Sequence, residues 1–115
     1  MRPMIDFKRG DVVLVRFVFS DETGAKLRPA VIISTNDYHQ TRQEAIMAAV
    51  TSNVDRLLTG DHRIAGWKAA GLLFPSIATG LIRTIKQTMI DRRLGAMPAR
   101  DMEAIEEKLR SVLNL

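Results

Sequence analysis

The segment Asp11–Phe19, DVVLVRFVF, constrains the fold more than any other part of the chain. Val13, Val15, Phe17 and Phe19 alternate with Val12, Leu14, Arg16 and Val18. Successive side chains of a strand point to opposite faces, so one set lies on each side of a sheet. Both sets are largely apolar and β-branched residues dominate, which predicts a well-buried strand. SDETGAK follows, with the small, acidic and glycine residues of a hairpin loop, and then a second strand from Arg28 to Ser34, RPAVIIS.

Further along, Glu44–Ser52 reads as a third strand of weaker propensity, because alanine is depleted in sheets. TNDYHQTRQ before it and NVDRLLTGD after it read as polar connections. His62–Ile64 predicts a short strand, and GWKAAGL a single helical turn closed by Gly71. LFPSIA and LIRTIKQTMI are two further strand candidates around Gly80, and DRRLGAM completes the sheet region. From Pro98 the period changes. Met102, Ile105, Leu109, Val112 and Leu113 follow the spacing of an amphipathic helix, with Asp101 and Glu103 in its first turn to complement the helix dipole. Strands followed by one terminal helix predict a mainly β fold, a small barrel or strongly curved sheet with the helix packed on it.

A chain of 115 residues supports one core, so residues 1–115 are expected to form a single domain. Its formal charge is +4, and the segment from Pro98 onward holds three cations against four anions. The rest therefore carries fourteen cations and nine anions, a surplus of five that suits a polyanion partner as well as it suits a solvated basic surface. Cysteine is absent, which excludes disulfides, thiolate metal sites and a thiol nucleophile. No apolar run approaches membrane-spanning length and MRPMIDFKRG lacks the apolar core of a signal peptide, so a cytoplasmic location is expected.

Two short stretches carry candidate chemistry. Proline has no N–H for a ladder and pushes the residue before it into an extended conformation. Arg28, before Pro29, is thus a fork of donors on a stiff base, suited to a phosphate, or else a surface cation paired with Asp21 or Glu22. In AAVTSN, a small apolar strand ends in Thr51, Ser52 and Asn53, which can donate to phosphate oxygens or cap the following turn. His39 and His62 lack metal-ligand spacing and are expected in loops, and no glycine-rich phosphate loop occurs. Met89, Met97 and Met102 read as core filler, and Trp67 as packing a turn.

Taken in order, GDVVLVRFVFSD, KLRPAVIIS, VTSN, WKAAGLLFPS, LIRTI and RRLGAM followed by a terminal helix resemble the MazF/PemK family of toxins, from about Lys8 to Leu113. The resemblance implies an SH3-like curved sheet or barrel of five to seven strands with a C-terminal helix, acting as a homodimer. It also implies a cofactor-free, metal-independent and sequence-specific endoribonuclease that cleaves single-stranded RNA, often mRNA, and is inhibited by a cognate antitoxin. Arg28 and Thr51 match the family's catalytic pair, with Ser52, Asn53, Lys26 and Glu22 as substrate-binding residues beside them. Where many relatives carry a glutamate in the first hairpin this chain has Thr23, with Glu22 one residue away, which leaves the general base open between Asp21 and Glu22. After the PS segment, many relatives have a charged residue where this chain reads IATGL. The loops around TNDYHQTRQ and NVDRLLTGD are expected to supply base contacts, since single-stranded RNA is read at splayed bases. Two other functions stay open at this stage: a gyrase-poisoning toxin of the same fold, and a non-catalytic RNA-binding barrel.

Overall fold

The computed structural model describes residues 7–18 and 25–115. Among these, the strands are β1 (Asp11–Val18), β2 (Ala25–Ile32), β3 (Glu44–Thr51), β4 (His62–Arg63), β5 (Ile77–Lys86) and β6 (Ile90–Ala96). Helices α1 (Asn36–Thr41) and α2 (Ala99–Leu113) complete the element order. The strands form one antiparallel sheet in the order β4-β5-β3-β2-β1-β6, with β4 and β6 at its edges. Of the two forms expected, a barrel or a curved sheet, the described residues make the open one.

The double apolar pattern of β1 is used on both sides. Val12 packs with Val31, Ala48 and Met102 in one cluster, which the helix α2 covers. Val13 and Val15 pack with Ala30, Ile32 and Met47 in the other. Val12, Val13 and Val15 are fully buried, and each such side chain contributes on the order of 1.5–3 kcal/mol by leaving water. Cross-strand register explains the grouping: Val12 pairs with Val31, and Val31 with Ala48, so one row crosses three strands. Ala45 and Ala48 of β3 have no exposed surface, so packing from both sides overrides the low sheet propensity of alanine.

Several local expectations change. β2 begins at Ala25 instead of Arg28, which places Arg28 and Pro29 inside the strand. LFPSIA and LIRTIKQTMI are not two strands: β5 runs unbroken through Gly80 from Ile77 to Lys86. TNDYHQTRQ is not a plain connection either, because Thr35 caps α1 by accepting a hydrogen bond from the Tyr38 backbone N–H (3.3 Å). His39 consequently lies buried on α1 and not in an open loop, its Nε2 2.6 Å from Ser34 Oγ, and desolvation lowers its pKa. His62 sits in β4, as the short-strand reading of His62–Ile64 expected and against its placement in a loop. Expectations for Phe19 and for hairpin residues Asp21, Glu22 and Thr23 fall outside the described residues.

Helix α2 starts after Pro98 as expected and buries Met102 and Ile105, whereas Val112 and Leu113 at its far end stay exposed. Asp101 does more than answer a dipole. Its Oδ1 accepts from His62 Nε2 and from the Ala65 N–H, each at 2.8 Å, and its Oδ2 accepts from the Gly66 N–H at 2.9 Å. One buried carboxylate thus ties α2 to β4 and to the turn that follows β4. Arg9 makes a second tie, donating to Glu106 of α2 (2.7 Å) and to the Ile33 carbonyl (3.0 Å).

Burial pushes the Asp101 pKa up, but the His62 hydrogen bond, the two backbone N–H donors and the nearby imidazole charge together hold it below its ordinary value of 3.8. Because the folded value is depressed, the carboxylate's contribution to stability is complete above pH 3.8 and is lost as pH falls through the lowered folded value. Asp101→Asn, which cannot accept at both positions, is expected to cost about 2–4 kcal/mol near neutral pH. Urea unfolding of both proteins should show that gap narrowing below pH 3.8; a gap that does not change with pH would assign the loss to packing instead.

Candidate functional site: a pocket where two strands part

Strands β2 and β3 pair only at Ala30 with Ala49, Val31 with Ala48 and Ile32 with Met47. Neither strand ends there. β2 runs back to Ala25 on the β1 side, with Pro29 opposite Leu14 and Arg28 opposite Val15. β3 runs on to Thr51 on the β5 side, with Val50 opposite Ala78 and Thr51 opposite Ile77. The ladder stops at the residue that lacks an N–H, Pro29. Continuing the β2–β3 register two residues past Ala30 and Ala49 brings Arg28 opposite Thr51. The two residues that the sequence marks separately therefore face each other across the gap.

This gap opens into a pocket of about 350 Å³ whose lining includes Arg28, Pro29, Thr51 and Ser52, together with Leu14 of β1 and Arg92 and Leu94 of β6. Its remaining wall is the segment Gly71–Phe74 with Val50 and Ser76. The expected helical turn before that segment closes as a Schellman motif, with the Leu72 N–H on the Trp67 carbonyl and the Gly71 N–H on the Lys68 carbonyl, both 3.0 Å. Gly71 has φ +85°, and a Cβ there would lie 2.2 Å from the Leu94 carbonyl oxygen. No other residue fits that approach of turn to β6. Trp67 packs against the core beside this turn, as its reading required. Beyond it Leu72 is buried, while Leu73 (83% exposed) and Phe74 (61% exposed) stand at the pocket mouth.

Chemically the pocket favours an anion. Arg28 is exposed, and among the described residues no hydrogen bond or ion pair engages its guanidinium. Arg92 lies 3.1 Å from its neighbour Asp91, an exposed pair of little energetic weight. No carboxylate lines the pocket among the described residues. Thr51 Oγ1 accepts from the Asn53 N–H (3.1 Å), so the turn-capping role is realised, but as an acceptor it keeps its hydroxyl proton to donate. Asn53 in turn accepts from the Asp55 N–H (3.2 Å).

Of the predicted site residues, the pocket brings together Arg28, Thr51 and Ser52. Lys26 is exposed on β2, two residues from Arg28 and opposite Phe17, and Asn53 is exposed in the turn; neither lines the pocket. Glu22 lies outside the described residues. Neither polar connection, around Tyr38 or around Leu57, contributes to the lining. Sequence reasoning missed Arg92, Phe74 and Ser76, all of which line the pocket. The paired arginines of DRRLGAM were the available signal for the first, read there only as sheet. Among the described residues no cluster of three or more histidine, aspartate or glutamate side chains is arranged to hold a metal.

The whole fold is similar to several solved structures. One is a mycobacterial endoribonuclease in complex with its cognate antitoxin, at 18% identity and a TM-score of 0.74, covering 94% of this chain and 95% of that one. Another is the Mycobacterium tuberculosis toxin MazF-mt6, at 21% identity and a TM-score of 0.74, covering 91% and 97%. A third is a MazE-MazF complex from Deinococcus radiodurans, at 18% identity and a TM-score of 0.76, covering 94% and 96%. At such identities the likeness establishes the fold. No curated protein sequence matches the chain. Residues 8–113, however, match the model of a single family, described as PemK-like, MazF-like toxins of type II toxin-antitoxin systems. That match spans β1 through α2, including both strands that meet at the pocket, and the chain belongs to this family.

Proposed function

We propose that the chain is a single-domain endoribonuclease toxin that cleaves single-stranded RNA by attack of a 2′-hydroxyl on the adjacent phosphorus. The observation that carries this reading is the meeting of Arg28 and Thr51 in one pocket lining at the β2–β3 gap, with no carboxylate among the described lining residues. As the O2′–P bond forms and the P–O5′ bond breaks, negative charge gathers on the non-bridging oxygens. Arg28 presents a fixed fork of donors to that charge and Thr51 adds its hydroxyl. Ser52 lies beside them in the lining, with Lys26 and Asn53 flanking on β2 and the turn. The products are a cyclic phosphate and a free 5′-hydroxyl. Arginine stays protonated beyond about pH 12 and is a poor acid, so its part is electrostatic. The 2′ proton passes to a carboxylate of the first hairpin, Asp21 or Glu22, and the departing O5′ takes a proton from water.

The donor set suits an anion rather than a cation, and the scheme needs no metal. Similar solved toxins are seen with their antitoxins, and an acidic antitoxin segment suits the basic body of this one. A cytoplasmic RNA substrate places the chain in the cytoplasm. Exposed Leu57, Leu58, Leu81, Val112 and Leu113 supply apolar surface for a homodimer. Part of that surface converges at Gly60, where a Cβ would lie 2.9 Å from Val112 Cγ2 and 3.3 Å from the Gly80 backbone.

Removing one preorganised donor should slow cleavage roughly 100- to 1000-fold, so Arg28→Ala is expected to lose activity and toxicity while remaining folded. Thr51→Ala should lose less, on the order of tenfold. Both are read by initial rates on RNA with analysis of the product ends. A folded Arg28→Ala protein cutting at the wild-type rate would overturn the assignment, and RNA that is bound but never cut would leave only an RNA-binding barrel. Added chelator should not alter the wild-type rate; inhibition reversed by magnesium would reject the metal-free scheme. Sedimentation equilibrium should report twice the 12.9 kDa chain mass, and a monomer would reject the dimer.

A further inference from the structure

The lining of the pocket includes residues that the cleavage scheme leaves idle, Arg92 and Phe74 among them. Arg92 lies on β6 opposite Leu14, whereas Arg28 lies on β2 opposite Val15, so β1 separates the two arginines. Two strand spacings set them about 10 Å apart across the sheet. Phe74 lines the same pocket and is 61% exposed. The ring is nonetheless on a fixed base. Ser76 Oγ donates to the Phe74 carbonyl at 2.7 Å, Pro75 stiffens the link between them, and the Gly71 turn anchors the segment on β6.

We infer that Arg92 and Phe74 form a second nucleotide subsite, in which Arg92 holds the phosphate flanking the scissile one and Phe74 stacks that nucleotide's base. This rests on the ribonuclease reading and extends it from where the RNA is cut to how it is gripped. Solvent-exposed aromatic rings cost free energy unless something covers them, and here the covering surface must also tolerate two guanidinia with no described carboxylate in the lining. A nucleotide meets both demands with one flat apolar face and one negative charge. Both arginines line this pocket, from strands on either side of β1, which suits two successive phosphates of one strand. Leu73 beside Phe74 widens the apolar ledge without adding any base-edge donor. The subsite therefore grips the strand and discriminates little between bases.

The test uses an oligonucleotide carrying the cleavage sequence mapped for the wild-type chain, with a 2′-O-methyl group at the scissile nucleotide to prevent cutting. A second set carries an abasic residue at each flanking position in turn. Arg92→Ala should make the slope of log affinity against log salt shallower by about 0.7, the loss of one phosphate contact on a single strand, and Arg92→Lys should restore it. Phe74→Ala should weaken binding of the intact oligonucleotide roughly 5- to 150-fold and leave the salt slope alone. It should leave binding unchanged for the oligonucleotide that is abasic at the stacked position. With cleavable RNA both variants should raise KM more than they lower kcat. If the wild type cuts and binds RNA while Arg92→Ala keeps the full salt slope, or Phe74→Ala weakens intact and abasic strands equally, the subsite is wrong and the ribonuclease reading stands. A wild-type chain that neither cuts nor binds RNA overturns both.

Discussion

A single missing hydrogen-bond donor organises the functional end of this molecule. Pro29 stands at the first position beyond the last β2–β3 pair. Both strands remain held from their outer sides, β2 by β1 and β3 by β5. The sheet therefore does not fray there, but opens between two supported edges. That is an inexpensive way to build a cleft. The surrounding ladders fix the position of each strand, and the residues two positions past the last pair, Arg28 and Thr51, face each other with their backbones already set. A guanidinium on a supported strand has fewer conformations to lose on meeting a phosphate than one on a loop.

The remaining architecture keeps this opening in shape. β6 carries Arg92 and Leu94 into the pocket, and its far end is locked to the start of the chain. Arg93 Nε lies 3.1 Å from Asp11 Oδ1, yet that oxygen has no well-directed hydrogen bond, so the contact acts as a charge pair. The other Asp11 oxygen accepts from the Lys8 N–H at 3.0 Å, and the Met97 N–H bonds the Gly10 carbonyl at 2.7 Å. This gives the Gly-Asp opening of β1 a mechanical meaning. The Asp101 carboxylate does the equivalent work on the other side, where it binds the backbone of Ala65 and Gly66 at the start of the turn that leads to Phe74. Two buried aspartates, neither in the pocket, thus hold opposite walls of it.

How much of this was legible in the sequence depends on the range of the forces involved. The period of β1 and of α2 is a local property, and both elements appear with nearly the expected bounds. Arg28 and Thr51 were recognisable because a proline and a strand-ending hydroxyl leave local marks. α1 was missed because its signal is short and polar, resting on the Thr35 cap and on Gln87, whose side-chain amide reaches the carbonyls of His39, Arg42 and Glu44 from more than forty residues away. β5 was split because Gly80 reads as a break, although in the fold it admits the backbone of Thr59 and Gly60 beside the strand. Long-range partners also explain the misreading of Asp101. A carboxylate in the first turn of a helix looks like dipole compensation until the chain brings His62 to it.

The exposure of Arg28 bears on what it can do. In water its attraction for a phosphate is weak, because screening and hydration compete with it. The pocket around it is mostly apolar, with Leu14, Pro29, Val50, Leu72 and Leu94 contributing. In the proposed scheme, a strand of RNA entering this pocket would displace water from those side chains, and the local dielectric would fall where charge develops. The interaction then strengthens during the reaction more than it does on first encounter, which is the condition for lowering a barrier rather than only tightening binding. An arginine buried in the free protein could not work in this way, because its desolvation would have required a permanent partner. Among the described residues Arg28 is exposed and unpaired, as the proposed chemistry requires, and the parted strands make this compatible with a stable sheet.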